Sequence, residues 1–124
     1  MLAELKARGY LLAVATGKSR RGLDQALGTV ALAGVFDSSR TADQTAGKPD
    51  PLMLHELMAE FDVAPDRTLM IGDTTHDLQM ANNAGCPCVA VSYGAHEPAV
   101  FEVFAPLYVA HTVRQLHDWL LTQA

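Results

Sequence analysis

Short unbroken apolar runs alternate along this chain with stretches where apolar residues recur every three or four positions, a pattern that predicts strands and helices in turn. Tyr10-Leu11-Leu12-Ala13-Val14-Ala15, Thr68-Leu69-Met70-Ile71 and Cys88 to Ser92 are the three runs that read as strands buried on both faces. Gly34 to Ser39 is a weaker short strand, and Leu107 to Ala110 a last one. Between them, Leu23, Ala26 and Leu27 mark an inward helix face, and Leu54, Leu57, Met58 and Phe61 fall at i, i+3, i+4 and i+7 of another. Asp50 as cap and Pro51 at the first helical position start that second helix. Thr75 to Ala84 reads as a helix closed by Gly85, Pro98 to Phe104 as one or two helical turns, and Thr112 as the cap of a final helix carrying Val113, Leu116 and Leu120. Strands alternating with helices predict an α/β fold, a Rossmann-like parallel sheet with helices on both faces.

With 124 residues the chain suffices for one domain, 1–124, and is too short for two. Charged residues make up 19% and hydrophobic residues 49%, which excludes disorder as the default state. A net charge of −5 gives no electrostatic reason to expect nucleic acid or an anionic membrane as partner. No apolar run approaches the roughly 20 residues that cross a bilayer. Cys86 and Cys88 flank Pro87, so on an extended segment they share a face with Cα atoms about 6.6 Å apart, a stretched and poor disulfide pair. They read as small buried residues, which favours a reducing, cytoplasmic setting. The chain opens on a short helix with Leu2 and Leu5 on one face and Gly9 as its stop, as a piece cut from a longer fold would.

In open parallel sheets, ligands sit beyond the carboxyl ends of the strands. Thr16-Gly17 follows the first buried run, Gly72-Asp73-Thr74-Thr75-His76-Asp77 the second, and Ser92-Tyr93-Gly94 with His96 the third. Lys48 precedes the Asp50-Pro51 helix start. A hydroxyl, a cation and two carboxylates can thus converge on one edge. That set suits phosphoryl transfer: hydroxyl and amides hold phosphate oxygens, lysine neutralises developing charge, carboxylates hold Mg²⁺. Taken singly, each residue has a plainer role. Thr16 could cap the next helix, Lys48 could be a solvated surface lysine, and Asp73 with Asp77 could be a turn residue and a first-turn carboxylate.

Together, in this order, the motifs resemble those of the haloacid dehalogenase superfamily and its phosphoglycolate-phosphatase-like members. Ala15-Thr16-Gly17 is similar to the family's second motif, Gly47-Lys48-Pro49-Asp50-Pro51 to its third and Gly72 to Asp77 to its fourth, Gly-Asp-x-x-x-Asp. Tyr93-Gly94 and His96 to Pro98 resemble the loop after the next strand in that branch. The resemblance implies Mg²⁺-dependent hydrolysis of a small phosphorylated metabolite through an aspartyl-phosphate. It implies catalytic roles for Thr16, Lys48 and Asp73, substrate contacts from Thr16, Gly17 and Lys48, and metal contacts from Asp73 and Asp77. Two lookalikes fail. Gly17-Lys18-Ser19 lacks the glycine of a nucleotide-binding P-loop, since Leu12 stands in its place. Lys48-Pro49 resembles two-component receiver domains, where the acidic cluster comes first rather than last. No two of the five histidines stand at a metal-ligand spacing, so no zinc site is expected.

The family's first motif, Asp-x-Asp-Gly-Thr, carries the nucleophile and the general acid/base, and no two aspartates here are two residues apart. The helical cap usually inserted after it is missing too, and Met1 falls where the chain would re-enter the core. The resemblance therefore implies a partial core, N-terminally truncated and lacking the central nucleophile strand, with weak or absent Mg²⁺ binding and no turnover of its own. A non-catalytic remnant, serving binding or assembly on the same fold, is the competing reading. The lost strand would bare apolar surface, and from this we expect self-association, most simply a homodimer.

Overall fold

The computed structural model describes residues 2–16, 21, 23, 36–41, 47, 48, 50–92 and 98–123. The chain divides into two compact units, Met1–Asp62 and Val63–Ala124.

In the first unit, α1 (Leu2–Ala7) buries Leu5 and ends as its sequence dictates. Gly9 takes a φ of +91°, and Gly9 N and Tyr10 N donate to Lys6 O and Leu5 O at 3.0 and 3.1 Å. These two bonds satisfy carbonyls that the helix end would leave bare, and only glycine adopts that backbone without strain. β1 (Ala13–Thr16) then pairs in parallel with β2 (Ser38–Thr41), Ala13 opposite Ser38 and Thr16 opposite Thr41. The expected burial of the first run on both faces is not met: Tyr10 is 39% and Leu11 53% exposed, and no residue of β1 is fully buried. Among the described residues β1 pairs only with β2, so it lacks the second neighbour that an interior strand receives. β2 also starts later than the apolar pattern suggested, at Ser38. Of the helix expected between the strands, Leu23 is buried, whereas Ala26, Leu27 and Gly34 lie outside the described residues.

α2 (Leu52–Phe61) covers this ribbon. Leu54, Leu57 and Met58 are buried as their spacing predicts, and Met53, which the pattern did not single out, is wholly buried. The helix starts one residue later than expected, with Pro51 rather than Asp50 as its N-cap and no side-chain cap; Asp50 Oδ1 accepts a 2.9 Å bond from Leu52 N just ahead of it. Arg40 on β2 reaches across to α2, with Nε 2.9 Å from Glu56 Oε1 and a terminal nitrogen 2.8 Å from Glu60 Oε1. Glu56 and Glu60 stand one helical turn apart, so a single guanidinium fork spans both.

The second unit is a three-stranded parallel sheet in the order β3 (Met70–Gly72), β4 (Cys88–Val91), β5 (Val109–Ala110). β4 is central and buried throughout, as its unbroken apolar run predicts. β3 is not buried on both faces: Met70 and Gly72, on one face, are buried, while Ile71, on the other, is 38% exposed. α3 (Thr75–Ala84) packs on β3 and β4, and Gly85 closes it at φ +78° with the same pair of bonds seen at Gly9. A 3-10 helix (Pro98–Phe104) lies against α3, buries Phe101 completely, and accepts Asn82 Nδ2 on Phe104 O at 3.2 Å. α4 (Val113–Gln123) starts where Thr112 Oγ1 accepts Gln115 N at 3.0 Å. Leu116 and Leu120 are buried as expected, but Val113 is 55% exposed, at the open first turn. Trp119 stacks on Tyr108 at 5.7 Å. No helix among the described residues is long and apolar enough to cross a membrane.

One contact of the first unit answers to pH. The Asp37 carboxylate accepts Leu12 N at 2.7 Å and Lys6 Nζ at 3.0 Å, tying α1 to the start of both strands. The Leu12 amide first, and then Lys6, hold the Asp37 carboxyl below its ordinary value. A depressed carboxyl stabilises the fold above its unfolded value and loses that contribution as pH falls through its folded value. Asp37→Asn should therefore lower the thermal midpoint at neutral pH. The gap to the parent should begin to narrow as pH falls into the ordinary carboxylate range and close only below the depressed folded value, where the parent carboxyl also protonates. Midpoints measured from neutral to acid pH check this, and a gap that stays constant would contradict it.

Candidate functional site

Each strand end delivers a polar residue to the carboxyl edge of its own sheet. In the first unit Thr16 is the last residue of β1, half-buried, opposite the buried Thr41 that ends β2. Lys48, also half-buried, sits in a turn closed by Asp50 N donating to Gly47 O at 3.1 Å, directly ahead of α2. Gly17 lies outside the described residues, as does Pro49.

In the second unit the structure brings Asp73 and Asp77 into one turn. Asp73 leaves β3 exposed, whereas Asp77, on the first turn of α3, is 3% exposed. Asp77 Oδ2 accepts Asp73 N and Thr74 N at 3.2 Å each and Thr74 Oγ1 at 3.0 Å. Thr74 Oγ1 in turn accepts Asp77 N at 3.3 Å, which makes Thr74 and Asp77 a reciprocal capping box. The negative carboxylate also lies where the α3 dipole favours it. A Cβ added to Gly72 would run into the Cβ of Asp77 and lie 2.7 Å from its Cγ and 2.8 Å from its Oδ2. The glycine of the Gly-Asp-x-x-x-Asp sequence is thus the residue that admits the second aspartate to the turn.

Sequence reasoning passed over Thr74 as the cap, although Thr74-x-x-Asp77 carries the capping-box spacing with Asp in place of Glu. It also passed over a pair on the neighbouring strands. Ser92 Oγ, just past β4, and His111 Nδ1, just past β5, share a 2.6 Å hydrogen bond. Gln115 Oε1 anchors the same histidine by accepting His111 N at 2.7 Å. No spacing rule links two residues from different strand ends, so only the parallel register reveals the pair. Cys86 and Cys88 lie at the opposite end of β4, buried and free, and burial pushes both thiols up. They are packing residues, away from the carboxyl edge.

Among the described residues no three His, Cys, Asp or Glu side chains gather as a metal group. The β3–α3 turn nevertheless supplies oxygen donors of the kind Mg²⁺ prefers, and Mg²⁺ takes only one or two carboxylates where substrate oxygens and water complete its shell. The exposed Asp73 fits that role.

The sequence profile described as haloacid dehalogenase-like hydrolase matches residues 1–91. Pyrophosphatase PpaX of Bacillus mycoides is 35% identical over 91% of this chain and 53% of its own length. Phosphoglycolate phosphatase of Vibrio vulnificus is 32% identical over 99% of this chain and 54% of its own. The crystal structure of a haloacid-dehalogenase-superfamily hydrolase, subfamily IA, from Geobacter sulfurreducens superimposes with a TM-score of 0.77, at 29% identity over 94% of this chain and 55% of that one. The chain thus spans about half the length of each. By the profile match, and with the motifs at its strand ends, this chain belongs to the haloacid dehalogenase-like hydrolase family.

Proposed function

We propose that the chain supplies the phosphoryl-binding and magnesium-binding residues of a phosphomonoester hydrolase acting on a small phosphorylated metabolite, in the manner of phosphoglycolate phosphatases. The observation that carries this reading is the β3–α3 turn, where an exposed Asp73 at a strand's carboxyl end is locked from behind by a buried Asp77. Such a turn presents a carboxylate to solvent at the place where parallel sheets bind ligands. The names of the Bacillus and Vibrio relatives support phosphate-ester or phosphoanhydride chemistry.

In this reading the Thr16 hydroxyl and the Gly17 amide donate hydrogen bonds to phosphoryl oxygens. The Lys48 ammonium offsets the negative charge that grows on those oxygens as the ester bond breaks. Asp73 and Asp77 form the protein's side of the Mg²⁺ site, and Mg²⁺ when bound would neutralise phosphate charge. The covalent step of the family is attack by an aspartate carboxylate, giving an aspartyl-phosphate that water then hydrolyses. These 124 residues hold no Asp-x-Asp pair for that step. We therefore read the chain alone as a partial core that binds Mg²⁺ weakly and turns nothing over. That same absence favours the second reading, a remnant that only binds or assembles. Two buried thiols accord with a reducing, cytoplasmic setting.

Purified chain, assayed with phosphoglycolate, pyrophosphate and p-nitrophenyl phosphate in Mg²⁺, should release no phosphate above the buffer blank. Mg²⁺-dependent release that disappears in Lys48→Ala would show that the chain carries its own nucleophile, against this account. Tyr10, Leu11 and Leu107, each 39% or more exposed, and Ile71 at 38% leave apolar surface that a second copy would cover, and we propose a homodimer. Light scattering should give about twice the 13.3 kDa of one chain; a monomer at that mass would exclude the dimer.

A further inference from the structure

We propose that Ser92 and His111 form a nucleophile–base pair, with Ser92 the site at which an activated acyl ester or thioester becomes covalently attached. The pair stands apart from the phosphatase reading, since neither residue is assigned there to phosphate or magnesium.

Ser92 Oγ lies 2.6 Å from His111 Nδ1, within the reach across which an imidazole withdraws a hydroxyl proton. Ser92 is half-buried and His111 exposed, so an electrophile can approach the hydroxyl from solvent. Both stand just past their strands, at the edge where parallel sheets receive ligands. Among the described residues Nε2 of His111 has no partner, so the ring can carry its proton there and leave Nδ1 as the acceptor. The backbone beneath holds both residues in place. Ser92 N donates to Ala110 O at 2.8 Å, which carries the β4–β5 register one step further and sets Ser92 opposite His111. Gln115, on the first turn of α4, accepts His111 N at 2.7 Å, and Thr112 Oγ1 accepts Gln115 N in turn. The Tyr108–Trp119 stack ties α4 to the start of β5. Backbone bonds thus already join the strand ends, and the exposed side-chain bond is not needed to join them.

In the step itself, Ser92 Oγ attacks the acyl carbon and the Oγ–C bond forms while the hydroxyl proton passes to His111 Nδ1. The bond from that carbon to the donor's oxygen or sulfur breaks. The leaving group departs with the bonding pair, and Nδ1 returns the proton to it. The products are an ester on Ser92 and a free alcohol or thiol, with no oxidant or reductant consumed.

The test treats the full chain with p-nitrophenyl acetate, quenches in acid, and locates the acetyl groups by peptide mass mapping over time. Ser38 is the internal reference: its hydroxyl donates to Glu60 Oε1 at 2.8 Å and accepts Arg40 Nη1 at 3.1 Å, with no imidazole in the set. Ser92 should be acetylated at least about 100-fold faster than Ser38, the lower end of what a positioned general base supplies. His111→Gln, which keeps a polar side chain without the base, should remove most of that advantage. Gln115→Ala, which frees the His111 backbone, should slow Ser92 while leaving Ser38 unchanged. The comparison of the two serines in the parent stands whether or not a variant folds. Acetylation of Ser92 no faster than that of Ser38, an undiminished rate in folded His111→Gln, or acetyl groups on His111 and none on Ser92 would each overturn the proposal.

Discussion

The Asp77 carboxylate folds back over the end of β3 and takes hydrogen bonds from the two residues that leave the strand. That contact decides several features of the second unit together. It stops β3 at Gly72, starts α3 at Thr75 through the Thr74 cap, and sets the direction in which α3 returns over β3 and β4. It also demands the glycine, since any Cβ there would occupy the space of the aspartate. A buried, charged residue in a small unit is unfavourable unless its oxygens are satisfied, and here backbone amides, a threonine hydroxyl and the helix N-terminus all meet it. Asp73 is the carboxylate this arrangement leaves exposed.

The first unit solves a similar problem with charges that span elements. Asp37 joins α1 to the strand starts, and Arg40 joins β2 to two turns of α2. Ion pairs with this much solvent exposure contribute little each, so their service is to fix orientation more than to add stability. Apolar burial against α2, led by Met53, Leu54, Leu57 and Met58, supplies the larger stabilisation. The fixed orientation places Thr16 at a strand end and Lys48 in a closed turn at a helix start. Thr16 and Lys48 lie in one unit, and Asp73 and Asp77 in the other.

Elements whose signal was local were legible in the sequence. Gly9 and Gly85 end helices because only a left-handed residue closes those carbonyls. β4 was legible as a wholly buried strand because it lies between two neighbours, and an apolar run means burial only there. The same kind of run misled at Tyr10, Leu11 and Ile71, since nothing in a sequence of apolar residues says which face of a strand is covered. The candidate site residues were named from order and spacing, but which of the two aspartates is buried was not legible. Asp73 and Asp77 are identical letters, and only burial and bonding separate them. The Ser92–His111 hydrogen bond and the Arg40 cluster join positions far apart in the chain, where no periodicity reports them.

Gly72→Ala addresses the central constraint with the smallest possible change, one methyl group. If Asp77 stands hard against the end of β3, the methyl has nowhere to go and the turn must shift. Chemical denaturation should then show a loss of about 1–3 kcal/mol, the usual range for overpacking a filled site. The loss should shrink when Asp77 is also replaced by glycine, because that removes the Cβ as well as the carboxylate that the added methyl would strike. Unchanged stability in Gly72→Ala, or losses that simply add in the double variant, would show that Gly72 and Asp77 do not meet and that the turn is held by something else.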